Sequence, residues 1–227
     1  MLHSAAVPDR ALIIAIDGPS GAGKGTVARA LAKTLRYRHI DTGAMYRAVA
    51  WKALQRGIAL NDEAQIGALV DHVRIDVTDG VVRIDDEDVT KAIRTPDIDK
   101  AAARVARVSR VREVLVALQR ALGANRAVVM EGRDIGSVVF PEADVKLYLD
   151  ASADERARRR ANDRAHAAQG GTVAGVQTEL EARDRSDSER TVAPLTLAPG
   201  AAYIDTTGLS VDQVLARVME LVKSTAG

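Results

Sequence analysis

A run of small residues around one lysine is the first feature of this 227-residue chain that could do chemistry: Gly18, Pro19, Ser20, Gly21, Ala22, Gly23, Lys24, Gly25 and Thr26, reading GPSGAGKGT. Backbone N–H groups exposed by glycines, followed at once by a helix N-terminus, form a cradle for phosphate oxygens. A lysine at the helix start adds a point cation that can follow a phosphoryl group as it moves. A tight strand-to-helix turn would need the glycines but not Lys24. The usual pattern places Ser or Thr directly after the lysine; here Gly25 intervenes, and Thr26 is the candidate hydroxyl for the magnesium side of a nucleotide.

The second set is cationic. Arg47 lies in DTGAMYR, Arg112 in SRVRE, Arg133 and Asp134 in MEGRDIG, Arg159 and Arg160 in ERARRR, and Arg183, Asp187 and Arg190 in RDRSDSER. A guanidinium fork meets phosphate or carboxylate oxygens two at a time. Phosphoryl transfer between two anions gathers about six negative charges, and positioning with electrostatic stabilisation carries nearly all of its catalysis, so arginines from several segments must converge. A phosphate acceptor, whose second pKa is about 6, is already a nucleophile at neutral pH and demands no general base. That suits a chain whose four histidines, His3, His39, His72 and His166, sit in no such motif and show no metal-ligand spacing. A helix through Arg183, Asp187 and Arg190 would put all three on one face. For these three, as for Arg112, Arg159 and Arg160, spacing alone also allows a solvated, salt-bridged surface.

The elements that must hold these groups follow from hydrophobic periodicity. ALIIAID (11–17) is the continuous aliphatic run of a strand buried on both faces of a parallel sheet, and it leads into the glycine turn. Helix is predicted over 24–36, a short strand at 39–41, helix over 43–56, and further strands at 127–131, 145–150 and 203–205, the rhythm of βαβ units. Alternating residues at 74–78 and 81–85 flank Asp79-Gly80, a strong hairpin signal, so a small antiparallel insert is predicted over 66–96. Residues 96–122 read as one returning helix. A second interruption at 167–199 contains Gly170-Gly171 and much charge, and 160–190 is predicted to act as a lid.

Length suits one core with an appendage, taken as a single domain over 11–227 behind a flexible tail at 1–10. The chain is 47% hydrophobic but only 3% aromatic, as suits helices on an aliphatic sheet. The formal net charge of +1 gives no overall pull toward nucleic acid or anionic membrane. Absent cysteine removes disulfides, thiolate nucleophiles and cysteine-based zinc sites. The longest early apolar stretch, 11–16, is too short for a membrane helix or signal core, and a cytoplasmic location is expected. A regulatory GTPase would carry an Asn-Lys-x-Asp segment, which this chain lacks. A small-metabolite alcohol kinase and a nucleotide-binding module without turnover are the other readings of the cradle.

Taken in order, IDGPSGAGKGT, DTGAMYR, IRT, EGRDIGSVVFP, KLYLDAS, ERARRR and RDRSDSER with APL behind it resemble the bacterial cytidylate kinase family across 16–195. The resemblance implies an α/β P-loop fold of three layers, with a parallel five-stranded sheet, a three-stranded insert in the monophosphate-binding region and a mobile lid. It implies ATP with Mg2+ as phosphoryl donor, CMP and dCMP as acceptors, and a monomer. Lys24, Arg133, Asp134, Arg183 and Arg190 would carry the transfer. Arg47 and Arg133 would hold the CMP phosphate, Thr42, Arg112, Asp134 and Arg190 would meet the cytosine, and Arg183 and Asp187 the sugar. Tyr46 lies beside them in its motif, while Arg159 and Arg160 resemble lid arginines near ATP. Three residues depart from the pattern: Thr42 where Ser is common, Glu131 where Asp is expected, and Ala103 where the family places a sugar-side Ser.

Overall fold

The computed structural model describes residues 10–78, 80–162, 173–190 and 193–226. Its centre is β1 (Ile13–Asp17), buried at every position. With β2 (Arg38–Asp41), β6 (Val128–Glu131), β7 (Val145–Asp150) and β8 (Ala202–Asp205) it forms a parallel sheet in the order β2-β6-β1-β7-β8. Successive residues of β1 serve opposite faces. Ile14 and Ile16 pack with Val27, Leu31 and Leu35 of α1 (Lys24–Leu35) and with Val214, Val218 and Val222 of α8 (Val211–Ala226). Ile13 and Ala15 pack on the other side with Ala48 and Val49 of α2 (Thr42–Gln55), Val105 of α4 (Pro96–Val105) and Leu115 of α5 (Ser109–Gly123). Three layers result, and each large aliphatic so buried contributes about 1.5–3 kcal/mol.

The insert is a second, antiparallel sheet of β3 (Ile75–Thr78), β4 (Val81–Ile84) and β5 (Glu87–Asp88). Ile75, Val77, Val82 and Ile84 point to the core, and Asp76, Thr78 and Arg83 to solvent. The strands fall inside the expected 66–96 segment, whose first residues belong to α3 (Glu63–His72). Asp79 of the hairpin signal lies outside the described residues, whereas Gly80 takes the left-handed φ of 80° that such a turn requires.

Two expectations are corrected. The single helix over 96–122 is two, α4 and α5. The end of α4 tightens through short bonds from Arg107 N to Arg104 O and Val108 N to Val105 O, and Val108 turns extended, so that Val105, Val108 and Val111 all reach the core. The face shared by Arg183, Asp187 and Arg190 is the other, because α7 (Val173–Ser188) stops short of Arg190. Arg190 reaches the same place from beyond the helix end, its Nε donating to the Asp187 carbonyl at 3.2 Å. Gly170-Gly171 lies outside the described residues.

Candidate active site

The carboxyl ends of β1, β2 and β6 adjoin in register, Ile16 beside Glu131 and Glu131 beside Asp41, which is where an open parallel sheet places its ligand crevice. Each of these strands ends on a carboxylate that organises the loop beyond it. Asp17 accepts from Ile135 N at 2.8 Å and Gly136 N at 2.7 Å, clamping the π turn Ile135–Val139 and with it the preceding Arg133 and Asp134. Burial raises Asp17 to about 6 against the pull of those two N–H groups. Asp41 caps α2, accepting from Ala44 N at 3.0 Å, and its other oxygen receives Arg47 and Arg94, each at 2.9 Å. Glu131 faces the glycine cradle and is met by His39 Nε2 at 2.9 Å.

The cradle itself leads from β1 into α1. Gly18 has φ 141°, and a Cβ there would stand 1.9 Å from the Leu149 carbonyl oxygen, so no other residue fits. Gly23, in the left-handed region, supplies the N-cap of α1. Lys24 is buried in the first turn, not solvent-facing, and its Nζ donates to the Pro19 carbonyl at 2.6 Å. Burial, and then the positive charge of Arg133, pull its ammonium down to about 7. Buried Arg156 of α6 (Ala153–Ala161) donates from Nη1 to the Ser20 carbonyl at 3.2 Å and pairs through the same nitrogen with Asp184 of α7. A strut thus joins the cradle to α6, which leads into the region predicted as a lid, and to α7 within it.

Arginines crowd a cleft of about 280 Å3 in front of Lys24. At its far end Arg112 and Asp134 form a buried ion pair, so Asp134 anchors Arg112 and not its neighbour Arg133. Arg133 Nε donates instead to Asp187 Oδ2 at 3.0 Å. Burial and the adjacent Arg133 lower Arg183 to about 10, still cationic at neutral pH. Arg47 Nε, Arg183 Nε and Arg190 Nη2 are buried without a hydrogen-bond partner. Buried donors left in this way call for an acceptor, and an anionic ligand supplies one. Burial pushes the Tyr46 phenol up to about 12, keeping it neutral beside these cations. Thr42 Oγ1 spends its proton on the Glu131 carbonyl at 2.8 Å and faces the cleft as an acceptor.

A second cleft, of about 430 Å3, opens on the other side of the cradle between Gly21, Thr26, α6 and the start of α8. Arg159 crosses it, donating to Thr206 Oγ1 at 2.9 Å and to the Thr206 carbonyl at 2.7 Å. Arg160 lines both clefts and pairs with Asp99 of α4. All the arginines read from the sequence therefore line one cleft or the other. Sequence reasoning passed over Arg94, although IRT was among the motifs, and also Asp41, Arg156 and the His39 contact, whose partners are distant in the chain.

The family described as Cytidylate kinase matches residues 14–224, which contain every group in both clefts. The chain belongs to the cytidylate kinase family. Cytidylate kinase of Geobacillus thermodenitrificans (strain NG80-2) is 45% identical over 223 residues, covering 96% of this chain and 100% of that protein. The cytidylate kinase of Exiguobacterium sibiricum is 47% identical over 214 residues, covering 92% and 96%. Among solved structures, shikimate kinase from Bacteroides thetaiotaomicron superposes with a TM-score of 0.52 at 12% identity, covering 94% of this chain and 99% of that one, a likeness of fold alone. Of the three departures from the cytidylate kinase pattern, Ala103 lines the cleft with a bare methyl and Thr42 keeps its hydroxyl there. The Glu131 carboxylate pairs with His39. No helix among the described residues is long and apolar enough to cross a membrane.

Proposed function

We propose that the chain transfers the γ-phosphoryl group of ATP to the phosphate of CMP or dCMP, giving ADP and CDP or dCDP. The observation that carries this reading is the meeting, in one cleft, of Lys24 with Arg47, Arg133 and Arg183 and with the buried Arg112–Asp134 pair. The ATP phosphates lie in the cradle, and its base and ribose occupy the second cleft beside Arg159. The CMP phosphate takes the unpartnered donors of Arg47 and Arg183 together with Arg133, and one of its oxygens attacks the γ-phosphorus as the bond to the ADP oxygen breaks. Lys24, held low by burial and by Arg133, becomes a full cation as phosphate charge arrives.

Magnesium fits the residues present. Gly25 keeps open the space beside Glu131, where a Cβ would stand 3.1 Å from Oε1, and the Thr26 hydroxyl is exposed on the cleft wall. Among the described residues no three His, Asp or Glu side chains gather as a cage. Thr26 and Glu131 would hold the ion from the protein side, directly or through water. When bound it neutralises charge between the β and γ phosphates.

At the base, Asp134 accepts from the cytosine amino group while Arg112 and Arg190 donate to N3 and O2. Uracil presents the opposite pattern at C4 and N3. Residues 160–190 close over the nucleotides to exclude water. Amide exchange across residues 160–190 should slow when both nucleotides are added, and equal protection in the two states would remove the lid from the mechanism. The deciding assay measures ADP release with CMP, dCMP, UMP, AMP and GMP. CMP and dCMP should lead, and ADP release no faster than with ATP alone would overturn the reading.

A further inference from the structure

One carboxylate in this region has no part in the chemistry above. Asp99 stands in the first turn of α4 with its side chain 12% exposed, and it faces arginines from both halves of the cleft. Its Oδ2 accepts from Arg160 Nη2, which comes from α6 on the ATP side. Its Oδ1 lies 3.8 Å from Nη1 of Arg47, which comes from α2 on the CMP side. Its charge also acts on Arg183 of α7. The other acids nearby are committed without reaching Arg160: Asp41 caps α2 and holds Arg47 and Arg94 at 2.9 Å, Asp134 holds Arg112 and Asp187 holds Arg133. An acid in the first turn favours the helix N-terminus, a service Asp97 also gives, and α4 seats itself through Ile98, Ala101, Ala102 and Val105 and reaches α7 by the Lys100–Glu179 pair at 2.8 Å. A carboxylate that offers one oxygen to a donor-side guanidinium and the other to an acceptor-side guanidinium imitates the phosphoryl group that passes between them.

We propose that Asp99 is an affinity-setting residue, an internal anion that gathers Arg47 and Arg160 in the empty enzyme and competes with substrate phosphate for them. The inference rests on reading the cleft as a phosphoryl-transfer site. Guanidiniums brought together out of water repel one another unless an anion stands between them, so Asp99 keeps the cage assembled before nucleotides arrive. Being fixed to α4, its charge stays when they bind. Every phosphate then meets a cage whose positive potential is already partly cancelled, binds less tightly than the arginines alone would hold it, and leaves sooner.

The test compares wild type with Asp99→Asn, which keeps the shape and an acceptor oxygen but loses the charge, and with Asp99→Glu, which keeps the charge. Binding of inorganic pyrophosphate to the unliganded chain, followed by titration calorimetry, gives a readout independent of turnover. Asp99→Asn should bind pyrophosphate roughly three- to tenfold more tightly, with KM for CMP falling in step and kcat unchanged or lower. Asp99→Glu should bind it no more tightly than wild type. Unchanged or weaker binding by the Asn variant overturns the inference, and tighter binding by the Glu variant overturns it even where the Asn variant fails to fold. Failure of wild type to form ADP from CMP would sink the transfer reading and leave the pyrophosphate comparison standing.

Discussion

The phosphate cradle occupies residues 18–26 without interruption, whereas the groups around the acceptor come from α2, α5, α7 and the turn after β6. In the cradle the working parts are largely backbone, held in place by glycine conformations and by the tight approach of Gly18 to β7. Around the acceptor they are side chains held in place by one another, as in the pairs Arg112–Asp134, Arg133–Asp187 and Arg47–Asp41. The first kind of site can lose a side chain and keep its shape. The second cannot lose one member of a pair without stranding the other, so specificity and stability are tied together there.

Lys24→Ala should show the largest effect and break the comparison if it does not. The substitution removes a desolvated cation and leaves the glycine-built loop standing, so kcat should fall about 10²–10³-fold with little change in the unfolding midpoint. Retention of more than a tenth of wild-type kcat would dissolve the role given to the cradle.

Asp134 sharpens the acceptor side. Truncation to Ala would leave Arg112 buried and unpaired, at about 3–5 kcal/mol, and would confuse folding with base reading. Asp134→Asn keeps the volume, and the kcat/KM preference for CMP over UMP should narrow by about 1–3 kcal/mol, or 5- to 150-fold. Equal losses on both substrates would confine Asp134 to holding Arg112.

Asp17 joins the two halves, and pH separates its contribution. Its pKa is raised in the fold to about 6, so the native state binds a proton that the unfolded chain has released. Its stabilising contribution is complete below the unfolded value of about 3.9 and is lost as pH rises through the folded one. The stability of wild type minus that of Asp17→Asn should therefore drop by on the order of 2 kcal/mol between pH 4 and pH 7, read from urea unfolding. The amide's poorer fit to two N–H groups does not vary with pH, so a flat difference would mean that Asp17 is not desolvated as the clamp requires.

The smallest effect concerns the sugar. Ala103→Ser adds a hydroxyl to the cleft wall, and the ratio of kcat/KM for CMP over dCMP should rise roughly three- to tenfold, about the worth of one hydrogen bond. An unchanged ratio would place the ribose away from α4.

The same contrast explains what could be read from the chain beforehand. β1, the cradle and α1 were legible to within a residue or two because their signals are local: an aliphatic run, glycines, then Val27, Leu31 and Leu35 at helical spacing. The hairpin around Gly80 was legible for the same reason. The break at 106–108 was not, since Val105, Val108 and Val111 recur at a spacing that also fits one unbroken helix, and only the extended backbone at Val108 divides it. Motifs brought the right arginines into view, but their partners had to come from the fold. Nothing near Arg112 in sequence announces Asp134, and nothing near Arg156 announces Asp184. Nor does the glycine-rich pattern announce that Lys24 is buried, with the cradle closed over it.

The place of β6 between β1 and β2 has a consequence for how the protein is made. The first two strands of the sheet cannot pair with each other, because the slot between them belongs to residues 128–131. A ribosome adding roughly 5–20 residues per second leaves that slot open for several seconds after β1 and β2 emerge, with two unpaired strand edges exposed. Insertion of β6 closes a long loop and brings Glu131, Arg133 and Asp134 to the cradle in the same event. Nascent chains truncated before 128 should accordingly be protease-sensitive and prone to associate through those edges, since one step of synthesis both fills the slot and delivers Glu131, Arg133 and Asp134.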